Sequence, residues 1–400
     1  MLKHDRILDA LSALGHGAPA AREETPREEA APSRPPIKEI LRGDWIETER
    51  GPAFVKESTF PLGHRHGRFP LGKPLDAAQE ALGVTLGQPR PPHPSRLAFL
   101  DIETTGLAGG TGTYAFLVGL GSFEEGAFRV RQYFLPAIDE EPPMLEILAR
   151  DLSRLEGLVT YNGRAFDVPI LEARMTLARM RWPCDRMPHF DLLRAVRRLY
   201  RHRLEGCRLA DAEEHLLGIR RADDVPGYLI PSLYFDYIRA GRAAPLRAVF
   251  RHNAEDVLSM VGILAFLTDL FSRRDLDPED AVSVARWWEI EEAPDRAEFF
   301  YRQVLERLDD GQVWSWAASR YALLRKRAGA RREVVEIWRR LWSSGDLEAG
   351  VEIAKYLEHE ARDIEAALEI AAALLRDAPQ IARPALEHRL RRLRRKIERR

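Results

Sequence analysis

Residues 98–120 read AFLDIETTGLAGGTGTYAFLVGL, and this stretch decides the fold. An apolar run ends in two acidic residues, Asp101 and Glu103, and a glycine-rich segment follows at once. Side chains two apart on a strand point to the same face, so both carboxylates are expected together at the end of the strand. Such a pair is costly unless a cation offsets the repulsion, and hard divalent ions take carboxylate oxygens. The pattern therefore predicts a metal-binding strand end, with a solvated strand end as the alternative.

The glycines of the same stretch do not fit a phosphate-binding loop. A Walker loop requires a lysine after its last glycine, and a dinucleotide-binding loop must open a helix. Here Gly109, Gly110 and Gly112 are followed by TYAFLVGL, which has the composition of a strand. We therefore expect these glycines to form a hairpin turn, where positive φ angles favour glycine.

Outward from this stretch, the pattern predicts a mixed sheet flanked by helices. RLAFLDI, TYAFLVGLGSF and FRVRQYFL read as three strands with short connections, which is typical of an antiparallel meander. The next segments, PPMLEILARDLSRL, GLVTY and FDVPILEARMTLARM, read as helix, buried strand and helix. A strand followed by a helix adds a parallel strand to the meander. We therefore expect one α/β domain over residues 96–275.

The composition is that of a globular protein without a strong electrostatic bias. The 400 residues allow two or three domains, and 45% of them are hydrophobic. The formal net charge of −1 gives the chain no global attraction to nucleic acid, so such binding depends on local patches. Cys184 and Cys207, the only cysteines, exclude a disulfide scaffold and are typical of a reducing compartment.

Two observations bear on membranes and export. The first 15 residues, MLKHDRILDALSALG, are too polar for a signal peptide. No run of 18 apolar residues marks a membrane span. We therefore expect a cytoplasmic protein with no membrane contact.

The segments before the α/β domain differ in composition. Residues 16–37 are rich in Ala, Pro, Glu and Arg and almost lack large apolar side chains. Such a segment cannot offset its ordering entropy by burial, so residues 1–37 are expected to be a disordered linker. Residues 38–95 mix strand-like pieces with Pro, Gly and His and end in PRPPHPS, which indicates an ordered extension packing on the next domain.

The pattern after residue 277 is entirely helical. YRQVL, IWRRL and IAAAL, at 301–305, 337–341 and 370–374, occupy matching places about one solenoid repeat apart. Residues 280–385 are therefore expected to form TPR-like (tetratricopeptide-type) helical repeats, with an irregular helical bundle as the alternative. The basic tail, residues 386–400, is either a solvated helix end or a patch for phosphates or an acidic partner.

Three motifs, in order, resemble those of the DEDD superfamily of 3′–5′ exonucleases, which have a ribonuclease-H-like fold. FLDIETTGL resembles the first motif, YNGRAFDVPIL supplies Asn162 and Asp167 of the second, and HNAED supplies His252 and Asp256 of the third. The wider pattern, including GGTGTYAFLVGLG and HFDLLRAVRRLYR, is similar to the YprB-like bacterial proteins, which often carry a helical-repeat tail. The resemblance covers residues 40–272 well and the tail loosely.

This resemblance implies a metal-dependent nuclease, a 3′–5′ exonuclease that hydrolyses phosphodiester bonds of DNA or RNA with two Mg²⁺ or Mn²⁺ ions. Asp101 would bridge both ions, Glu103 and Asp256 would complete the shell of one, and Asp167 would hold the other. His252 would take a proton from the attacking water. The His branch of the family has four residues between His and Asp, whereas this chain has three. Positions i and i+4 share one helix face, so both side chains still point to one site. The alternative for His252 is a structural, hydrogen-bonded histidine.

Other residues near these motifs have less specific interpretations. By the resemblance, Thr104, Thr105 and Gly106 contact the terminal nucleotide. Asn162 either bonds a phosphate or caps the helix that follows it. Asp191 is either a fifth acid near the metals or the N-cap of the helix LLRAVRRLYR.

The expected fold is thus an α/β ribonuclease-H-like domain followed by an all-α TPR-like domain. The expected partner is nucleic acid with a free 3′ end, and the helical repeats are a candidate surface for a protein partner. The alternative function is a nucleic-acid-binding module, weakly active or inactive, whose repeats recruit that partner. The acid set is complete, which favours the enzyme.

Overall fold

A computed structural model describes residues 37–106 and 112–399. The linker predicted for residues 1–37 therefore lies, except for Ile37, outside the described residues. The same holds for Gly109 and Gly110 of the predicted hairpin turn. Cys184 and Cys207 are free thiols.

The described chain is built around a seven-stranded mixed sheet in the order β1-β2-β7-β6-β5-β8-β9. Its strands are β1 (Asp44–Thr48), β2 (Gly51–Pro61), β5 (Leu97–Thr104), β6 (Ala115–Glu124), β7 (Ala127–Phe134), β8 (Gly157–Thr160) and β9 (His189–Asp191). Two short strands, β3 (Arg65–His66) and β4 (Phe69–Pro70), form a separate hairpin.

The predicted meander and parallel addition are confirmed. Strands β5, β6 and β7 pair antiparallel in sequence order, and β8 pairs with β5 in parallel, with Phe99 opposite Val159. Residues 38–95 contribute to this same sheet, because β2 pairs with β7 from Phe54 opposite Phe134 to Pro61 opposite Ala127. Strand β9 then pairs in parallel with β8 at the other edge.

Helices flank the sheet, and the described chain after the sheet domain consists of helices. The helices of the α/β part are α1 (Ile37–Leu41), α2 (Gln79–Leu86), α3 (Glu141–Leu152), α4 (Asp167–Leu177), α5 (Leu192–Tyr200), α6 (Leu209–Ala212), α7 (Ile230–Ala240) and α8 (Leu246–Ser272). A π-helical turn, Glu213–Leu217, follows α6. The all-helical part comprises α9 (Pro278–Ile290), α10 (Pro294–Arg307), α11 (Gly311–Arg327), α12 (Val335–Ser343), α13 (Leu347–His359), α14 (Ile364–Asp377) and α15 (Arg383–Glu398).

Two hydrophobic cores lie on the two faces of the sheet, and β5 shows why. Leu97 and Phe99 belong to the first core, while Ala98, Leu100 and Ile102 belong to the second. This is the two-residue alternation of a strand buried on both sides. By the same alternation, residues 101 and 103 project toward the first core's face.

Helix α8 joins the two cores. Its first turns, with Val249 and Phe250, pack in the second core. From Val257 onward its apolar side chains pack in the first core. The helix therefore passes from one core to the other between residues 250 and 257, close to the end of β5. This segment contains the predicted third motif.

The all-helical part is fastened directly to the sheet domain, because only residues 273–277 separate α8 from α9. Trp287 packs in the first core, its ring centroid 5.1 Å from that of Phe271. Arg203 of the loop after α5 forms an ion pair with Asp280 at 2.6 Å. The matching places at 301–305, 337–341 and 370–374 fall on α10, α12 and α14, every second helix.

The basic tail forms part of α15 and is partly neutralised within the protein. Glu358 of α13, whose side chain is fully buried, accepts from Arg389 at 3.0 Å and from Lys396 at 2.8 Å, and it also pairs with Arg392. These contacts hold α15 against α13. Within the part of the chain that the structure covers, no helix has the length and apolar character needed to cross a membrane.

Candidate active site

The two acids of the opening stretch lie at the carboxyl end of β5. Asp101 Oδ2 accepts a hydrogen bond of 2.8 Å from Nδ2 of Asn253, a fully buried residue of α8. Asn253 Oδ1 in turn accepts from Gln132 Nε2 on β7 at 2.9 Å. Gly119 lies opposite Asp101 on β6, and a Cβ at this position would clash with the Asn253 amide. The missing side chain thus lets α8 approach the sheet and fix the Asp101 carboxylate.

Asp167 lies near Asp101 at the same end of the sheet, at the start of the helix that follows β8. It is buried and is the first residue of α4, which follows β8 in the chain. Burial raises the pKa of its carboxyl to about 7, although hydrogen bonds from the backbone of Asp167 itself and of Ile102 oppose this rise. The bond with Ile102 ties the start of α4 to β5.

The acids interact through their charges. Burial is the largest cause that raises the pKa of Asp101 well above its usual value, and the charges of Asp256, Glu103 and Asp167 raise it further. Burial, Asp256, Asp167 and Asp224 likewise raise the pKa of Glu103. The predicted acids are therefore brought together in one partly desolvated cluster, and Arg221 compensates only part of its negative charge.

His252 and Asp256 share one face of α8. The Nε2 atom of His252 lies 3.6 Å from Oδ2 of Asp256 and 3.9 Å from Oε1 of Glu103. Its Nδ1 atom lies 2.8 Å and 2.9 Å from the two carboxylate oxygens of Asp224. The Nδ1–H therefore donates to Asp224, which fixes the tautomer and leaves Nε2 facing the acids. The three-residue spacing thus still places the ring among the carboxylates.

Arg221 adds a positive charge to this cluster. Its Nη2 pairs with Oε1 of the buried Glu213 and with Oδ1 of Asp256. Its Nη1 lies 3.3 Å from Oδ2 of Asp224, and its Nε lies 3.7 Å from Oε2 of Glu255. The sequence analysis did not identify Arg221, Asp224 or Glu213. They come from the π-helical turn and the loop after it, RRADD, which match none of the motifs and show no period.

The two threonines after the acids form hydrogen bonds at the start of the loop that follows β5. Thr105 N–H donates to Tyr114 O, and Tyr114 N–H donates to Thr105 Oγ1, both at 3.0 Å. Thr104 Oγ1 donates to Gly106 O at 2.9 Å. A Cβ on Gly106 would meet no atom of the described residues within 4 Å.

The backbone of Asn162, in the loop after β8, is hydrogen-bonded to the side chain of Asp191. Asn162 N–H donates to Asp191 Oδ1 at 2.8 Å, and Leu193 N–H donates to the same oxygen at 3.2 Å. Asp191 is thus the N-cap of α5, and its charge also raises the pKa of Asp167. Asn162 is exposed, has a φ of 69°, and is not the N-cap of α4, which is Phe166.

The donor set fits a hard divalent cation, although its side chains have other partners in this structure. Among the described residues, no group of three or more His, Cys, Asp or Glu side chains is arranged to hold a metal ion. Asp101 is bonded to Asn253 and Asp256 to Arg221, which direct these carboxylates to partners within the protein. Carboxylate oxygens are nevertheless the ligands that Mg²⁺ and Mn²⁺ take, and the clustered charge here favours a cation.

Comparisons with known proteins agree with this architecture. A family model described as RNase_H superfamily matches residues 98–268, which include the acids and the third motif. A Bacillus subtilis (strain 168) protein that bears the name "Uncharacterized protein YprB" is 33% identical over 358 residues, or 86% of each chain. That similarity spans more than the sheet domain and so includes part of the helical region. The chain therefore belongs to the family of this relative, and its α/β domain belongs to the RNase H superfamily.

Proposed function

We propose that the protein is a metal-dependent nuclease, a 3′–5′ exonuclease of the DEDD type that hydrolyses phosphodiester bonds of DNA or RNA. The observation that carries this proposal is the convergence of Asp101, Glu103, Asp167 and Asp256 with His252 at one sheet end. The raised pKa values of Asp101, Glu103 and Asp167 support a site that binds cations, because burial and mutual repulsion cause these shifts and a divalent ion would relieve the repulsion.

Each residue has a defined task in this proposal. Asp101, Glu103, Asp167 and Asp256 would hold two Mg²⁺ or Mn²⁺ ions, which supply electrostatic stabilisation of the attacking and leaving oxygens when bound. The Nε2 atom of His252 accepts the proton of the attacking water, since Nδ1 is already occupied by its bond to Asp224. The Asp224 carboxylate then stabilises the imidazolium that forms, as the third member of a triad does.

The substrate end is assigned to the loop after β5 and the loop after β8. Thr104, Thr105 and Gly106 stand at the end of β5 and the start of the first loop, directly after Asp101 and Glu103, where they would contact a terminal nucleotide. Asn162 on the second loop has an exposed side chain without a hydrogen bond among the described residues, so its amide is available to a phosphate. The alternating helices α9–α15 would act as TPR-like repeats that bind a protein partner.

The test is a cleavage assay of the full chain with Mg²⁺ or Mn²⁺ on end-labelled and circular strands, both DNA and RNA. We expect release of mononucleotides from 3′ ends and no cutting of circles. Asp101→Asn should lower the rate by about 100- to 1,000-fold or more, the effect of losing one group that stabilises transition-state charge. Asp139→Asn, at an exposed acid outside the site, is the control. Cutting of circles would refute the exonuclease, and an unchanged rate in Asp101→Asn would refute this site.

A second candidate function rests on Arg221. Its pairing with Asp256 places a protein cation where the acids need one, as in a nuclease-like module that binds nucleic acid without turnover. The same assay separates the two functions. Strand binding without metal-dependent cleavage by the wild-type chain would favour this second candidate.

A further inference from the structure

A cationic cavity of about 540 Å³ lies beside the acid cluster. Strand β2, the β3–β4 hairpin, residues 219–222 and α8 form its walls. The cationic side chains that line it are Lys56, Arg65, Arg220, Arg221 and Arg251. Its one lining carboxylate belongs to Glu255, which faces Arg221. In a chain with a net charge of −1, this concentration of positive charge is local.

Three of these cations have no carboxylate partner among the described residues. Arg65 donates to the backbone oxygen of Arg68, and Arg251 donates to the backbone oxygen of Asp223 at 2.7 Å. Lys56 is half-buried and forms no ion pair in the described chain. Burial and the charge of Arg42 lower the pKa of Lys56. Three cations of the cavity therefore carry positive charge that no carboxylate of the described chain neutralises, which favours the binding of an anion.

The same cavity borders the proposed active site through Arg221. Arg221 lines it and at the same time pairs with Asp256 of the acid cluster. On α8, Arg251 immediately precedes His252, so the two side chains diverge by about 100° from one helix turn. The half-buried Phe60 and Ile219 add apolar wall to the cavity. Positive charge beside apolar and aromatic side chains suits a single strand, whose phosphates need cations and whose bases need an apolar surface.

We propose that this cavity binds phosphate groups of the nucleic-acid strand whose scissile phosphodiester bond lies at Asp101, Glu103, Asp167 and Asp256. This inference rests on the proposed function and deepens it, because it assigns a path for the strand beyond the terminal nucleotide. Lys56, Arg65 and Arg251 make the phosphate contacts. A free nucleotide or inorganic phosphate offers the same chemistry, and the experiment separates these sources from the strand.

The experiment measures strand binding in the full chain carrying Asp101→Asn, so that cleavage does not interfere. Anisotropy of labelled single-stranded DNA and RNA is recorded over a salt series for Lys56→Gln and Arg251→Gln. We expect each substitution to weaken binding several-fold and to reduce the slope of log K against log[salt] by about 0.7, the value for one phosphate contact on a single strand. The matched control is Arg247→Gln, one turn earlier on α8 and likewise exposed, whose guanidinium also donates to a backbone oxygen, that of Ile40.

The outcomes are distinct. Weakening by Lys56→Gln and Arg251→Gln but not by Arg247→Gln supports the proposal, provided that thermal melts show all three variants folded. An equal effect of all three substitutions, or none, overturns it. Titration with inorganic phosphate and a nucleoside monophosphate forms the second arm. Binding of these probes that depends on Arg251, with strand affinity unchanged, also overturns the proposal. Cleavage by the wild-type chain is scored separately, so the proposed function and this inference fail independently.

Discussion

Asp224 lies outside all three motifs but accepts the hydrogen bond that orients His252. A histidine that acts as a base needs one nitrogen held and the other free, and the carboxylate provides this arrangement. Glu103 and Asp256 then face the free nitrogen. Residues 221–224 thus contribute to the candidate site from a loop that precedes α8 by more than 20 residues.

Replacing Asp224 tests its role as a positioning residue. Asp224→Asn should lower kcat by up to about 10⁴-fold, the effect of the same substitution at the carboxylate partner of a histidine base, and should leave KM nearly unchanged. Asp223→Asn, at the exposed neighbouring acid, should have no effect on kcat. A rise in KM together with the fall in kcat, or equal effects of both substitutions, would mean that Asp224 only stabilises the fold.

His66 on β3 gives a pH dependence of stability. Its Nε2 lies 2.7 Å from Ser259 Oγ, and burial, then Arg221 and His64, lower its pKa to about 4. Between pH 6.5 and 4 the unfolded chain takes up a proton that the folded chain does not, so stability falls as the pH falls. The loss attributable to His66 approaches about 3 kcal/mol at pH 4.

Urea unfolding at pH 7.5 and pH 4.5 measures this loss. His66→Gln should remove much of the decrease in the free energy of unfolding between the two pH values. His388→Gln, at an exposed position of α15, should leave the decrease as it is. The assignment to His66 would be wrong if the wild type and His66→Gln lost the same stability.

At the scale of single residues, sequence reading found the side chains that belong to spaced motifs. It placed Asp101 and Glu103 on one face because a strand alternates. Asn253 stands inside the quoted HNAED but was given no role, since nothing in its spacing reveals a bond to β5. Arg221 enters the site through tertiary folding alone, and its contacts with Glu213 and Asp256 have no local sequence signal.

At the scale of elements, the close crossing of α8 over β6 sets the position of the acids. Gly119 and Gly121 leave β6 without side chains where α8 crosses it, and added methyl groups there would clash with Asn253 and Val257 respectively. The helix can therefore approach near enough for the bond between Asn253 and Asp101. The glycines of β6 act through their small size at this crossing.

Gly119→Ala tests the crossing. The added methyl group should lower the free energy of unfolding by about 1–3 kcal/mol, as overpacking of a buried contact does. It should also lower activity, because Asn253 must shift away from Asp101. Gly63→Ala is the control, since a Cβ there meets no atom within 4 Å. Equal melting curves for the wild type and Gly119→Ala would contradict the close approach.

The order of elements from β5 to α4 was predictable, whereas part of the sheet was not. Periodicity and short connections identify neighbours in sequence, as in the hairpin of β6 and β7. The pairing of β2 with β7 joins residues about 75 positions apart, and alternation in β2 does not name its partner. The length of α8 was readable, but its passage from one core to the other depends on the closed fold.

At the scale of the whole molecule, Glu358 fixes the C-terminal helix. Glu358→Gln should lower the free energy of unfolding by about 1–3 kcal/mol, the range for losing hydrogen bonds to a charged group. The loss stays within this range because Arg392 and Lys396 are partly exposed and regain water. Hydrogen exchange should rise in α15 and stay unchanged in β5–β7. Glu387→Gln, at an exposed site on α15, should change neither. Unchanged exchange in α15 would show that apolar packing alone holds it.

The stretch of α8 that contains His252 and Asp256 is short, and the helix is held in a hydrophobic core on each side of it. Phe250 and Val257 are only about 10 Å apart along the helix axis, and each of them lies in a close-packed core. A change in the spacing of His252 and Asp256 would require one core to repack, so elastic bending is a poor way to adjust it. Under the proposed function, a bound strand would then have to adapt its own shape to this rigid segment, and the surrounding loops would have to accommodate variation among substrates.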